Sequence, residues 1–194
     1  MAHGRLFVLA GPSGVGKGTV VRLVQRRLPD LVVSVSVTTR APRSSERDGV
    51  DYRFVSEDEF ARMVSAGELL EWAEIFGHRS GTPLVPLRST LAEGRDVLLE
   101  LDVQGARQVR DADPDAVLVL LEPPSIEELE RRLRTRGTET EDVLARRLAK
   151  AEWELGERGL FDRVVVNDDE EEAAGEVAAI IEASPRHLAE GPTP

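Results

Sequence analysis

The sequence predicts an α/β fold in three layers, a parallel β-sheet with helices packed on both of its faces. Three observations carry that expectation. Short apolar runs at 6–10, 97–101, 117–121 and 164–166 alternate with helical patterns at 104–112, 125–136, 141–156 and 171–183, the order that strand–helix–strand units produce. The first three of these runs are almost entirely hydrophobic, as strands are when both of their faces are covered. Pro114, Pro123-Pro124 and Pro185 punctuate the joints between elements.

The first unit is strand, loop and helix. The strand at 6–10 runs into Gly11-Pro12-Ser13-Gly14-Val15-Gly16-Lys17-Gly18-Thr19, and a helix over 17–28 follows with Val20, Val21, Val24 and Leu28 on one side. Glycines at 11, 14 and 16 let such a loop curl so that successive backbone N–H groups point inward at an anion. The helix adds its positive dipole end and Lys17 a mobile cation, which makes a phosphate loop. The usual pattern has Ser or Thr after the lysine, its hydroxyl ligating Mg2+. Here that position is Gly18 and the hydroxyl moves to Thr19. Two readings follow: Thr19 serves a phosphate, or the ion is held largely by water and nucleotide oxygens.

The segment from 33 to 88 breaks the rhythm. Residues 34–39 alternate like a strand, 52–55 form a second, 69–75 a third, and a helix spans 57–66, so the sequence predicts an inserted subdomain over 34–88 with hairpin-like strands. The core then comprises 4–33 and 89–183. Residues 137–142, set between two arginine-bearing helices, read as a flap within a lid at about 132–147, and 184–194, rich in proline, as a disordered tail.

Composition narrows the partners. A chain of 194 residues suits one domain with small insertions. It has no cysteine and three histidines scattered at 3, 78 and 187, which exclude disulfides and thiolate metal sites and give no zinc pattern. No apolar run is long enough to span a membrane and the N-terminus lacks a signal-like stretch, so the expected setting is the cytoplasm, without membrane contact. The net charge of −11 argues against a nucleic-acid polymer as ligand. Local arginine clusters at 40–43 and 131–147 suit small phosphorylated ligands instead. Nothing points to an obligate protein partner.

Taken together the motifs resemble the guanylate kinase family over nearly the whole chain. They are the phosphate loop, SVSVTTRAPRSSERDGVDYRF at 34–54, LLEWAE at 69–74, SGTP at 80–83, LELDVQGARQV at 99–109, RLRTRGTET at 132–140 and VVVNDD at 164–169. The resemblance implies a P-loop nucleoside monophosphate kinase with a parallel-sheet core, a GMP-binding subdomain and a lid. It implies the reaction ATP + GMP = ADP + GDP with Mg2+, in guanine nucleotide metabolism and GMP recycling. Two other readings remain to be separated: an adenylate-type kinase, which shares Gly-Lys-Gly-Thr, and a non-catalytic guanylate-kinase-like binding module. The 34–54 segment and Glu71 speak against the first, the intact loop and Lys17 against the second.

The same resemblance distributes the roles. Guanine offers N1–H and N2–H2 donors beside an O6 acceptor, so a selective pocket needs a carboxylate next to a hydroxyl; Glu71 and Ser36 supply them, with Thr82 and Asp102 close by. Arg40, Arg43 and Tyr52 are expected on the acceptor phosphate, where arginine's fork matches phosphate oxygens. Ser80 stands where many family members carry a tyrosine, its shorter hydroxyl leaving a gap for water, Arg79 or His78 to fill. Phosphoryl transfer requires alignment and charge neutralisation, assigned to Lys17 and to Arg132, Arg136 and Arg147 from the lid. Glu100 and Asp102, two apart on a strand, share a face, and Asp102 is expected to position Mg2+ through water. Asn167 is expected beside the donor adenine.

Overall fold

The computed structural model describes residues 3–44, 46–75, 77–135 and 141–185. In chain order its elements are β1 (Leu6–Ala10), α1 (Lys17–Arg27), β2 (Val32–Val33), β3 (Val37–Thr38), β4 (Arg53–Phe54), α2 (Glu57–Ser65), β5 (Leu69–Ile75), β6 (His78–Pro83), α3 (Leu84–Ala92), β7 (Val97–Leu101), α4 (Val103–Ala112), β8 (Val117–Glu122), α5 (Ile126–Thr135), α6 (Glu141–Gly156), β9 (Arg163–Val166) and α7 (Glu170–Ala183).

The main sheet has the order β2-β7-β1-β8-β9 and is parallel throughout. All five residues of β1 are buried, because its neighbours pair on both edges and helices cover both faces. Phe7 and Leu9 join α1, α5 and α7 on one face through Val20, Val24, Leu129, Leu133, Val177 and Ile181. Leu6, Val8 and Ala10 point the other way, toward Leu87 and Leu91 of α3 and Ala106 and Val109 of α4. Each fully buried side chain of this size contributes about 1.5–3 kcal/mol, so this double-sided packing is the main source of stability. The phosphate loop leaves the C-terminal end of the central strand, where open parallel sheets place their ligands.

A second sheet, ordered β4-β3-β6-β5, carries the other half of the site. Its own apolar cluster contains few fully buried residues, Val37, Phe60 and Met63, with Leu69 against them. α2 is placed by Ser56, whose side chain accepts from the Glu59 N–H in the first half of a capping box.

Several elements differ from the sequence-based expectation. Of 34–39 only Val37–Thr38 joins a ladder, and β3 pairs with β4 in parallel rather than as a hairpin; the hairpin is β5 with β6. The strand β6, the two-residue β2 and the helix α3 were not foreseen. His78-Arg79-Ser80-Gly81-Thr82-Pro83 has no apolar alternation, and it is a strand because β3 and β5 flank it. α3 carries Pro86 in its first turn, where the missing N–H costs nothing, and crosses residue 88, the expected end of the inserted segment. Of the flap expected at 137–142, Glu141 and Asp142 open α6 instead, while 137–140 lie outside the described residues, as do 186–194 of the expected tail.

Candidate active site

The phosphate loop takes its shape from glycine. Gly14 and Gly16 have φ of 90° and 99°, and a Cβ at Gly16 would stand 2.5 Å from Nδ2 of Asn167. Gly16 is the N-cap of α1 and has no side chain to cap it, so the positive end of the helix dipole begins in the loop, where helices bind anions; the Thr19 N–H turns back to the Gly16 carbonyl at 3.1 Å. Lys17 folds back over the loop and donates to the carbonyl oxygens of Gly11 at 2.6 Å and Pro12 at 3.2 Å. Burial pushes its ammonium below the ordinary lysine value, while Glu100, Glu154 and Asp102 pull the other way.

Two clefts flank this loop. One, of about 490 Å3, lies between the two sheets and is lined by Lys17, Ser36, Arg40, Arg43, Tyr52, Glu71, Ser80, Asp102 and Arg147 among others. The other, of about 960 Å3, is open and lies on the far side, between Gly14, Gly16 and Thr19 of the loop and α1, Arg131 and Arg132 of α5, and Asp168 to Glu171.

In the enclosed cleft, Glu71 is 4% exposed and accepts a hydrogen bond from the Thr82 hydroxyl at 2.7 Å. Burial raises its carboxyl to about 7; the Thr82 bond opposes that shift and the Asp102 charge adds to it. A buried carboxylate with unfilled acceptor capacity, in a cleft that Ser36 also lines, suits a ligand that presents adjacent N–H donors.

The arginine pair is organised by a residue that the sequence reading missed. Glu46 takes both Nη atoms of Arg40, at 2.8 and 2.9 Å, and the Arg43 backbone N–H at 2.7 Å. Arg40 also donates to the Ala41 carbonyl and lies 5.3 Å from the Tyr52 ring centroid. Arg40's hydrogen bonds hold the Glu46 carboxyl below its usual range. The fork expected to be open for phosphate is therefore closed on Glu46, and an anion must share it or displace the carboxylate. The Arg-x-x-Arg-x-x-Glu spacing at 40, 43 and 46 was the available signal.

Ser80 donates to the Thr38 hydroxyl at 3.0 Å. Arg79 does not replace the missing tyrosine, because it is paired with Glu57 and lies over the Phe60 ring; His78 does line the cleft.

At the cleft floor Asp102 is the N-cap of α4. Its Oδ1 accepts from the Gly105 N–H at 2.9 Å and its Oδ2 from Lys150 Nζ at 3.0 Å. Lys150 is also 3.6 Å from Glu154, a carboxylate only 2% exposed. Burial pushes both Glu100 and Glu154 upward, with Lys17 opposing in each case. Lys150 and Glu154 were not foreseen: a Lys and Glu at i and i+4 on a helix have the spacing of an ordinary surface pair. With Arg147, three residues before Lys150, they form the cleft-facing side of that helix.

Of the lid arginines expected at the transferred phosphate, the two described ones, Arg132 and Arg147, divide between the clefts. Arg147 reaches Ser13 Oγ at 3.5 Å from the enclosed side. Arg132 lines the open cleft, donating to Glu128 at 2.8 Å and to the Asn167 carbonyl at 3.0 Å. Arg136 lies outside the described residues. Asn167 is fully buried behind the loop and donates from Nδ2 to the Val15 carbonyl at 2.7 Å, so its side chain braces the loop.

These residues fit Mg2+ only in company with a nucleotide. Among the described residues no group of three or more His, Cys, Asp or Glu is arranged to hold a metal. Both oxygens of Asp102 are engaged, and position 18 offers no hydroxyl. An ion coordinated mainly by phosphates and water, with carboxylates beyond its first ligands, matches that donor set.

Comparison with known proteins agrees with this geometry. The family model described as guanylate kinase matches residues 3–184. A guanylate kinase of Nocardia farcinica is 58% identical over 179 residues, covering 91% of this chain and 93% of the relative. One from Thermobifida fusca is 55% identical over 179 residues, 92% of this chain and 91% of the relative. The crystal structure of guanylate kinase from Anaplasma phagocytophilum superposes with a TM-score of 0.78 at 37% identity, covering 94% of this chain and 86% of that one.

Proposed function

The chain belongs to the guanylate kinase family, and we propose that it phosphorylates GMP to GDP with ATP, as a nucleoside monophosphate kinase whose two clefts hold the two nucleotides on either side of one phosphate loop. The observation that carries the acceptor assignment is Glu71, a buried carboxylate beside the Thr82 hydroxyl, in the cleft that also holds Ser36, Arg40, Arg43 and Tyr52.

In this reading Glu71 accepts the guanine N1–H and N2–H, and Ser36 and Thr82 complete the base pocket. Adenine lacks those paired donors and would leave the carboxylate unsatisfied, a penalty of several kcal/mol. Arg40, Arg43 and Tyr52 hold the acceptor phosphate, with Ser80 at the edge. On the other side the loop residues 11–19 cradle the donor phosphates below Arg132, and Asn167 keeps the loop in shape.

The transferred group carries dispersed negative charge and needs no covalent nucleophile, so the protein's work is alignment and neutralisation. Lys17 swings from the Gly11 and Pro12 carbonyls onto the transferred phosphate. Arg147 follows it from α6 and excludes water there, a role that the family resemblance extends to Arg136. Mg2+, when bound with the nucleotide, would supply further charge neutralisation, and Asp102 would hold water toward it. The natural setting of this activity is guanine nucleotide recycling in the cytoplasm.

A coupled ADP-release assay with GMP, AMP, CMP and UMP in parallel tests the reading. Turnover with GMP far above the other three is the expected result. Preference for AMP would overturn the base assignment, and no turnover with any acceptor would point to a binding module.

A further inference from the structure

Glu71 lies at an irregularity. β5 pairs with β6 as Leu69 opposite Pro83 but Trp72 opposite Gly81, so one extra residue is accommodated in β5 between positions 69 and 72. Such a bulge re-aims the side chains around it. Leu69 packs on the second sheet's apolar cluster, Leu70 on the core cluster of the main sheet, and Glu71 faces the cleft. β5 is also an edge strand, so its outer backbone groups have no neighbouring strand to pair with.

Gln108, on α4 of the main layer, supplies that pairing with a side chain. Its Nε2 donates to the Trp72 carbonyl at 2.7 Å, and its Oε1 accepts from the Trp72 N–H at 3.1 Å. The amide thereby takes both backbone groups of the residue next to Glu71, as a neighbouring strand would. One helical turn earlier, Gly105 lets α4 approach: a Cβ there would stand 2.7 Å from Glu71 Oε2. The Gly105 N–H in turn is held by Asp102.

We propose that Gln108 is a positioning residue for base selection, which by clasping the backbone of Trp72 fixes the β5 bulge and so aims Glu71 at the acceptor base. The two sheets then meet at a defined contact rather than a loose one. The carboxylate's aim is set by a helix whose own N-cap, Asp102, sits in the same cleft. This inference rests on the reading that Glu71 accepts the guanine donors.

The test measures Gln108→Met, which keeps length without hydrogen bonds, and Gln108→Ala, each with GMP and with inosine monophosphate, which lacks the 2-amino group. Circular dichroism and the KM for ATP report folding and the opposite cleft. The expected result is a KM for GMP raised about tenfold, a GMP-to-IMP preference reduced by a similar factor, and kcat and the KM for ATP within about threefold of the parent. Folded variants with unchanged GMP KM and unchanged preference would overturn the proposal. So would an equal loss in kcat and in both KM values, and so would failure of both variants to fold, since each marks a general structural role. Glu71→Gln, measured alongside, separates the two levels. If it abolishes the preference while both Gln108 variants keep it, only the positioning role falls; if it retains the preference, the base reading itself falls.

Discussion

Thr82 donates its hydroxyl to Oε1 of Glu71 across 2.7 Å, inside a wall of the cleft where neither side chain meets bulk water. A carboxyl in such a place is costly to ionise, and the single hydroxyl offsets only part of that cost. The remainder is available to a ligand that brings its own donors.

That arrangement sets a pH dependence. In the empty site Glu71 titrates at about 7, and a guanine binds its ionised form, so GMP binding below pH 7 must release a proton. The KM for GMP should rise by up to about tenfold per unit as pH falls below about 6.5 and level off above 7.5. The Glu71→Gln variant should lack that limb, apart from titration of the GMP phosphate. Stability runs in a related way. The folded value of about 7 lies above the ordinary 4.5, so the folded state holds more protons between them and stability falls as pH rises through that window. Glu71→Gln should therefore gain in Tm relative to the parent at pH 8 compared with pH 5.

Lys17 rests on the carbonyls of its own loop and must be free to follow the transferred phosphate. Lys17→Ala should lower kcat by about three orders of magnitude, with the KM for GMP changed far less. Single-turnover kinetics check it, and near-normal turnover would remove Lys17 from the chemistry.

Gly18 leaves room at the start of α1. A Cβ there would lie 3.7 Å from Glu100 Oε2, an ordinary contact, so Gly18→Ser should fold without strain. The added hydroxyl restores a metal ligand that the chain lacks. Half-maximal activity should come at lower Mg2+, with kcat within about threefold. A loss of a hundredfold would show that the bare backbone is needed at that point.

Ser80 shares its hydroxyl with Thr38 and lines the acceptor side of the cleft. Ser80→Tyr should leave the KM for GMP equal or lower, read from initial rates at saturating ATP. A severe loss of activity would mean that the smaller side chain is required.

Much of this architecture was legible because strand and helix periods are long and clean in the main layer: 6–10, 97–101 and 117–121 read as buried strands and are buried strands. The second sheet was harder to read. β6 has a glycine, a proline and polar residues where alternation should be, and only the ladder with β3 and β5 makes it a strand. Ser36, Arg40, Tyr52 and Glu71 could be named because their motifs resemble those of the guanylate kinase family, and all four line one cleft. Lys150 and Glu154 could not, since their pairing at i and i+4 looks like a solvated face until the fold encloses it, whereas Glu46 had a signal in its spacing from Arg40 and Arg43. Arg79 shows the reverse: a cation next to the site by sequence, tied to α2 in space.

Among the described residues the two clefts are lined by separate sets, alternating along the phosphate loop, with one opening between the sheets and the other beside α1 and α5. Neither nucleotide then has to pass through the other's chamber to arrive or depart. Such a layout imposes no compulsory sequence of addition: initial-rate lines for varied ATP and GMP should intersect, and each product should compete with the substrate of its own chamber. A molecule linking two nucleosides through a phosphate chain across residues 11–17 would occupy both chambers at once and inhibit against either substrate.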